Sequence, residues 1–102
     1  MVIYGKEIDF KISRLKNAGD FEMALQEMSA KEKEITKYNG PMSGLIERGI
    51  RMFSDFFIKA TGTDVLEGCD DFNEAKKAYF EFLEEIKKQK AEVLDITAAD
   101  IK

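Results

Sequence analysis

The sequence predicts a small, mainly α-helical domain, in which an N-terminal β-hairpin is followed by about three helices packed as a small bundle. Apolar and charged residues alternate between residues 7 and 12, which is the period of a strand with one buried face. Beyond residue 20, apolar residues recur every three or four positions in three segments, as in amphipathic helices. Turn-forming residues separate these segments, and 102 residues suit a single domain spanning 1–102.

Residues 1–12 are predicted to form the hairpin. Short apolar stretches lie on both sides of Gly5-Lys6, a pair that suits a two-residue type II′ turn. Ile8, Phe10 and Ile12 then alternate with charged residues, so one face of the second strand is apolar. An isolated hairpin is marginally stable. Either this face covers the helices, or the strand edge pairs with another chain.

The first helix is predicted at 20–39, with Asp20 as its N-cap. Its apolar positions form a single stripe, so we expect an amphipathic helix with one exposed side. The stripe consists of Phe21, Leu25, Met28, Ile35 and Tyr38. Asn39-Gly40-Pro41 is expected to end the helix, since glycine and asparagine accept left-handed geometry and proline cannot continue the same helix.

The second helix, predicted at 41–60, is apolar over most of its circumference. Such a helix is either central in a core or part of an interface with another protein. Both interpretations stay open at this point. In the second, phenylalanine and methionine side chains of this helix would face outward, and methionine adapts well to varied partners.

A structured connector is predicted at 61–70, followed by a third helix at 71–91 and a frayed or loosely docked tail at 92–102. Gly62 suits the residue after the second helix, and Val65 and Leu66 are expected to fill a gap between helices. Asp71 and Glu74 have the spacing of a capping box, which predicts the start of the third helix.

Several kinds of chemistry lack their usual residues. The chain contains no histidine, which is the commonest general base and a frequent zinc ligand. No glycine-rich phosphate-binding loop occurs, and the acidic residues near the connector do not follow the order of a calcium-binding loop. Cys69 is the single cysteine and is expected to be a small buried apolar residue. We therefore predict no enzyme activity, no catalytic residues, no cofactor and no metal site.

Charge excludes two further classes of partner. The chain has 16 Lys and Arg against 20 Asp and Glu, and no segment has a basic excess. Binding to nucleic acid or to a membrane surface needs a basic patch, so we expect neither. The N-terminal residues lack the pattern of a signal peptide, and no apolar run is long enough to span a bilayer. A cytoplasmic location is predicted.

Two stretches of the sequence resemble tail assembly chaperones of long-tailed phages and prophages. The opening Ile3-Tyr4-Gly5-Lys6-Glu7-Ile8-Asp9-Phe10 is similar to the start of many small phage tail proteins. The second stretch is an aromatic helix end, a connector and an aromatic helix, an order found in the C-terminal half of these chaperones. It consists of Phe53-Ser54-Asp55-Phe56-Phe57, Thr61-Gly62-Thr63-Asp64-Val65-Leu66, Gly68, Asp70-Asp71 and Ala78-Tyr79-Phe80-Glu81-Phe82-Leu83.

The resemblance implies a helical, self-associating protein in the bacterial host cytoplasm. Such a protein coats the hydrophobic tape measure protein and keeps it soluble until the tail tube proteins assemble around it. Our hypothesis is that part of the second helix forms the partner or self-association surface. The candidate interface residues are Ile50, Met52, Phe53, Phe56 and Phe57. The alternatives are a structural tail or other virion-associated oligomer subunit, or a generic small protein-binding adaptor; a small antitoxin-like regulator would need a basic DNA-reading element, which the sequence lacks.

Overall fold

The computed structural model describes the backbone of residues 1–101 and the side chains of residues 1–95. A two-stranded antiparallel hairpin precedes three helices, which confirms the predicted fold class. The elements are β1 (Val2–Ile3), β2 (Lys6–Glu7), α1 (Leu15–Thr36), α2 (Met42–Thr61) and α3 (Phe72–Ile101).

The hairpin turn lies one residue earlier than predicted. Val2 pairs with Glu7 and Ile3 with Lys6, so the two loop residues are Tyr4 and Gly5. Both have positive φ angles, 51° and 74°, as in a type I′ turn, and the predicted II′ turn at Gly5-Lys6 is wrong. The alternation of burial beyond the turn is confirmed, because Ile8 and Phe10 are buried between exposed charged residues. The second strand nevertheless ends at Glu7, so the predicted extension of the hairpin to residue 12 is wrong: the backbone of Phe10 and Ile12 bonds to the Gln89 side chain and not to β1.

The start of α1 is also earlier than predicted. The N-cap is Arg14, whose side chain makes no capping hydrogen bond, and Asp20 lies inside the helix. There its carboxylate pairs with Lys16 one turn earlier, at 2.7 Å, so the predicted cap at Asp20 is wrong. Asn17 donates a hydrogen bond to the carbonyl of Lys11 and ties this first turn to the segment after the hairpin. The helix ends at Thr36, before the predicted residue 39.

Helix α2 begins after Pro41 and ends at Thr61, close to the predicted limits. Gly62 has a φ of 75° and donates its backbone N–H to the carbonyl of Ile58, which is the expected left-handed helix end. In the connector that follows, Val65 and Leu66 are buried, as predicted.

Helix α3 begins where the capping box predicts, since the Asp71 carboxylate accepts a hydrogen bond from the Glu74 backbone N–H. It continues to Ile101, so the predicted end near residue 91 is wrong for the backbone. The residues after Gln89 include neither glycine nor proline, and nothing in their composition stops a helix. The side chains of 96–102, most of the predicted tail, lie outside the described residues.

The core lies around α2, which packs against both α1 and α3. Its largest fully buried side chains include Phe56 and Phe57 of α2, Phe82 of α3, and Ile3 and Ile8 of the hairpin region. The hairpin thus lies on the core, which agrees with the first of the two arrangements considered for it. Burying each such side chain contributes about 1.5–3 kcal/mol.

Candidate protein-binding groove

The structure places most of the predicted interface residues in the core of the chain itself. Met52, Phe53, Phe56 and Phe57 are buried, with Phe57 0% exposed, and only Ile50 is half-buried. The prediction that these four side chains face outward from the folded chain is therefore wrong, whereas for Ile50 it stays a prediction. Helix α2 is apolar on most sides because it is the central helix.

Ring contacts hold the two most deeply buried of these side chains. Phe56 and Phe57 each meet Phe82 edge to face, with ring centroids 5.9 Å and 5.5 Å apart. Phe56 also meets Tyr79 at 5.0 Å and Phe21 of α1 at 6.1 Å. One aromatic cluster therefore joins all three helices, and these rings cannot face a partner while the chain stays folded.

An open apolar groove lies beside this cluster, with a volume of about 550 Å³. We call it the apolar groove. The C-terminal half of α1, the N-terminal half of α2 and the first turns of α3 line it. Its apolar lining includes Met28, Ile35, Met42, Ile46, Met52 and Phe80.

Two of the predicted interface residues, Met52 and Phe53, line this groove from its buried side. On this side of the groove, the backbone of α2 at Gly49 lies close to the ring of Phe72. A Cβ built on Gly49 would lie 2.7 Å from the ring of Phe72, so glycine at this position lets that ring rest directly on α2. The ring of Phe72 also lies 5.7 Å from that of Phe53.

The edges of the groove carry the exposed apolar side chains. Met42 is 67% exposed, Phe80 51% and Ile46 38%. Single exposed apolar residues are normal on a protein surface, whereas these three line a single depression. Three of the chain's five methionines, Met28, Met42 and Met52, also line it, which makes its shape adaptable.

Polar groups in the groove are few. Glu32 of α1 and Lys76 of α3 are exposed, line the groove, and form no ion pair with each other or with any other described residue. The hydroxyl of Tyr79 also has no hydrogen-bond partner among the described residues. Burial, and then the negative charge of Glu32, raise the pKa of Tyr79 above its usual value.

A second cluster of polar contacts joins the hairpin turn to the connector. The Tyr4 hydroxyl donates a hydrogen bond to Glu74 at 3.0 Å, and Lys6 donates to the Asp64 carbonyl at 2.7 Å. Hydrogen bonds with Cys69 and then with Glu74 raise the pKa of Tyr4. Cys69 is half-buried rather than fully buried. These contacts hold the turn in place, and their partners are already satisfied within the chain.

The described residues contain neither a metal-binding cluster nor a membrane-spanning helix. No group of three or more His, Cys, Asp or Glu side chains there has a geometry that could hold a metal ion. Within the same part of the chain, no helix is both long enough and apolar enough to cross a membrane.

Sequence reasoning missed the exposed residues of the groove, above all Ile46 and Phe80. Both are apolar residues within predicted helices. Residue type alone therefore does not distinguish them from the buried positions of the same helices. A finer helical projection gives a partial signal, because Phe80 follows Tyr79 and so points about 100° away from it. Which of these two side chains is buried depends on where the other helices pack.

Comparison with known proteins adds no relative: no protein family, no curated protein and no solved structure matches this chain significantly.

Proposed function

We propose that this chain is a non-enzymatic protein-binding protein that acts as a tail assembly chaperone. In this role it self-associates in the cytoplasm of the bacterial host and holds the hydrophobic tape measure protein soluble, before the tail tube proteins assemble around it. The apolar groove, rather than the buried face of α2, is the surface that receives the partner.

One observation supports this proposal most strongly. The groove gathers Met42, Ile46 and Phe80 at the surface above a methionine-lined interior, on a chain with net charge −4. Binding an apolar segment needs such an adaptable surface on an otherwise charged scaffold. It requires neither a nucleophile nor a histidine. The resemblance of the opening and of the 53–83 region to tail chaperones supplies the specific partner.

If the proposal is right, a long, helix-rich tape measure protein is encoded just downstream of this chain. The test is to read that gene order and then to co-express the downstream protein with the chain. We expect the downstream protein to stay soluble and to co-purify with the wild-type chain. Ile46→Asp places a charge in the groove and should abolish both effects.

Ile58→Asp is the matched control. Ile58 lies on the same helix, is 45% exposed and does not line the groove, so its variant should behave as the wild type does. Equal loss of co-purification in both variants would contradict a role for the groove. A chain that forms large, stable assemblies by itself in a sizing column, and leaves the downstream protein insoluble, would favour the structural-subunit alternative.

A further inference from the structure

We infer that the apolar groove recognises an amphipathic helix of about three turns, with a basic residue on one flank of its apolar stripe and an acidic residue on the other. This inference rests on the proposed function, in that the groove binds protein, and it adds the class of segment that is recognised. The occupant that we propose is a helix of the tape measure protein.

The length of the groove sets the length of the helix. Along α2, the residues that line it run from Met42 to Phe53 at helical spacing. Eleven steps of 1.5 Å give a groove of about 16 Å, or about three helical turns. A helix that lies in it would present apolar residues at i, i+3 or i+4, and i+7, which is the usual pattern of helix-in-groove recognition.

The charges of the groove define the flanks of that helix. Glu32 is on α1 and Lys76 is on α3, with α2 packed against both helices. Neither charge has an ion-pair partner among the described residues, so both are available to a bound helix. A helix between them would meet a negative charge on one side and a positive charge on the other.

We call this preference for one basic and one acidic flank the flank code. It can be tested without knowing the sequence of the natural partner. We would synthesise three stapled helical peptides of equal length with the same leucine stripe, because short helices are marginal in water without a staple. The flanks are one acidic and one basic, both acidic, or both basic. Compensating charges on the outward face keep the net charge equal, and binding is measured by fluorescence polarisation.

The expected result is a change of preference that follows the charge of the groove walls. The wild-type chain should bind the mixed peptide most tightly. Glu32→Lys should prefer the doubly acidic peptide, and Lys76→Glu the doubly basic peptide, each by about two- to fivefold, since exposed ion pairs are weak. The comparison holds for either direction of the helix in the groove, and raising the salt concentration should reduce each preference.

Ile46→Asp should bind none of the peptides, and Ile58→Asp should bind them as the wild type does. Equal binding of the three peptides by all the chains, or no binding, would overturn the inference. So would light scattering that shows a wild-type dimer which Ile46→Asp converts to monomer, because a second copy would then occupy the groove. Co-purification of the tape measure protein without any flank preference would overturn the flank code alone and leave the proposed function standing.

Discussion

Single residues in this chain have roles that depend on what lies within a few ångströms of them. Gly19 and Gly49 are both inside helices. A side chain added at Gly19 would meet nothing within 4 Å, whereas one added at Gly49 would meet the Phe72 ring at 2.7 Å. Glycine can therefore be replaced without a clash at position 19, whereas a side chain at position 49 would displace the Phe72 ring.

We predict opposite effects of alanine at these two glycines. Gly19→Ala should raise the free energy of unfolding by about 0.5–1 kcal/mol, because alanine favours the helix. Gly49→Ala should lower it by about 1 kcal/mol, because displacing Phe72 costs about 1–3 kcal/mol and outweighs that gain. Urea titration of both variants measures the difference. A stabilised Gly49→Ala protein would show that Phe72 moves aside at little cost.

Because the pKa of Tyr79 is raised, we predict that the chain loses stability at alkaline pH. Its pKa is raised in the folded chain, so above pH 10, the ordinary value, the unfolded chain releases this proton while the folded chain keeps it. The stabilising contribution is therefore complete below pH 10 and is lost as the pH rises toward the raised pKa. Urea midpoints measured between pH 8 and 11 should fall less steeply for Tyr79→Phe than for the wild type. Identical slopes would argue against the shift.

At the scale of elements, periodicity predicted the interiors of the helices, whereas several helix ends could not be predicted from the sequence. The apolar stripe of α1 and the capping box at Asp71 follow from local sequence. The start of α1 at Leu15 does not, since no side chain caps it and the preceding segment is fixed by distant contacts. One of these contacts is made by the side chain of Gln89 in α3.

Gln89 holds the segment after the hairpin against α3. Its side-chain amide accepts a hydrogen bond from the Ile12 backbone N–H at 2.8 Å and donates one to the Phe10 carbonyl at 3.1 Å. The side chain thus serves this segment as a neighbouring strand would, and joins residues 77 positions or more apart.

We predict that Gln89→Ala lowers the free energy of unfolding by about 1–2 kcal/mol, since two part-buried hydrogen bonds are lost together. Amide hydrogen exchange at Ile12 should accelerate more than exchange in α2. Gln26→Ala serves as the control, because Gln26 is exposed on α1 and makes no hydrogen bond within the described residues. Equal effects of the two substitutions would mean that the Gln89 contacts contribute nothing to stability.

For the whole molecule, the decisive feature is the central position of α2. A single helix with more apolar surface than one stripe can be hidden by neighbours on two sides, and here α1 and α3 cover it. The outward apolar surface that remains is the groove at one end of these helices, together with scattered exposed residues.

Adjacent positions on α2 should therefore respond oppositely to a charge. Phe57→Asp should abolish the helical circular dichroism signal at 25 °C, because an unpaired carboxylate in the core and the lost ring together cost more than 4–5 kcal/mol of a total of about 5–15 kcal/mol. Ile58→Asp should retain the signal, since Ile58 is 45% exposed. A folded Phe57→Asp protein would mean that this ring can leave the core.

The sequence by itself determined the fold class, the three helical segments, the buried connector residues and the absence of histidine, because periodicity, turn residues and composition are local properties. Only the tertiary structure decided that Phe53, Phe56 and Phe57 are core and that Ile46 and Phe80 are surface. The reason is physical: apolar residues on one helix differ in exposure only through the neighbours that pack over them. Those neighbours come from distant parts of the chain.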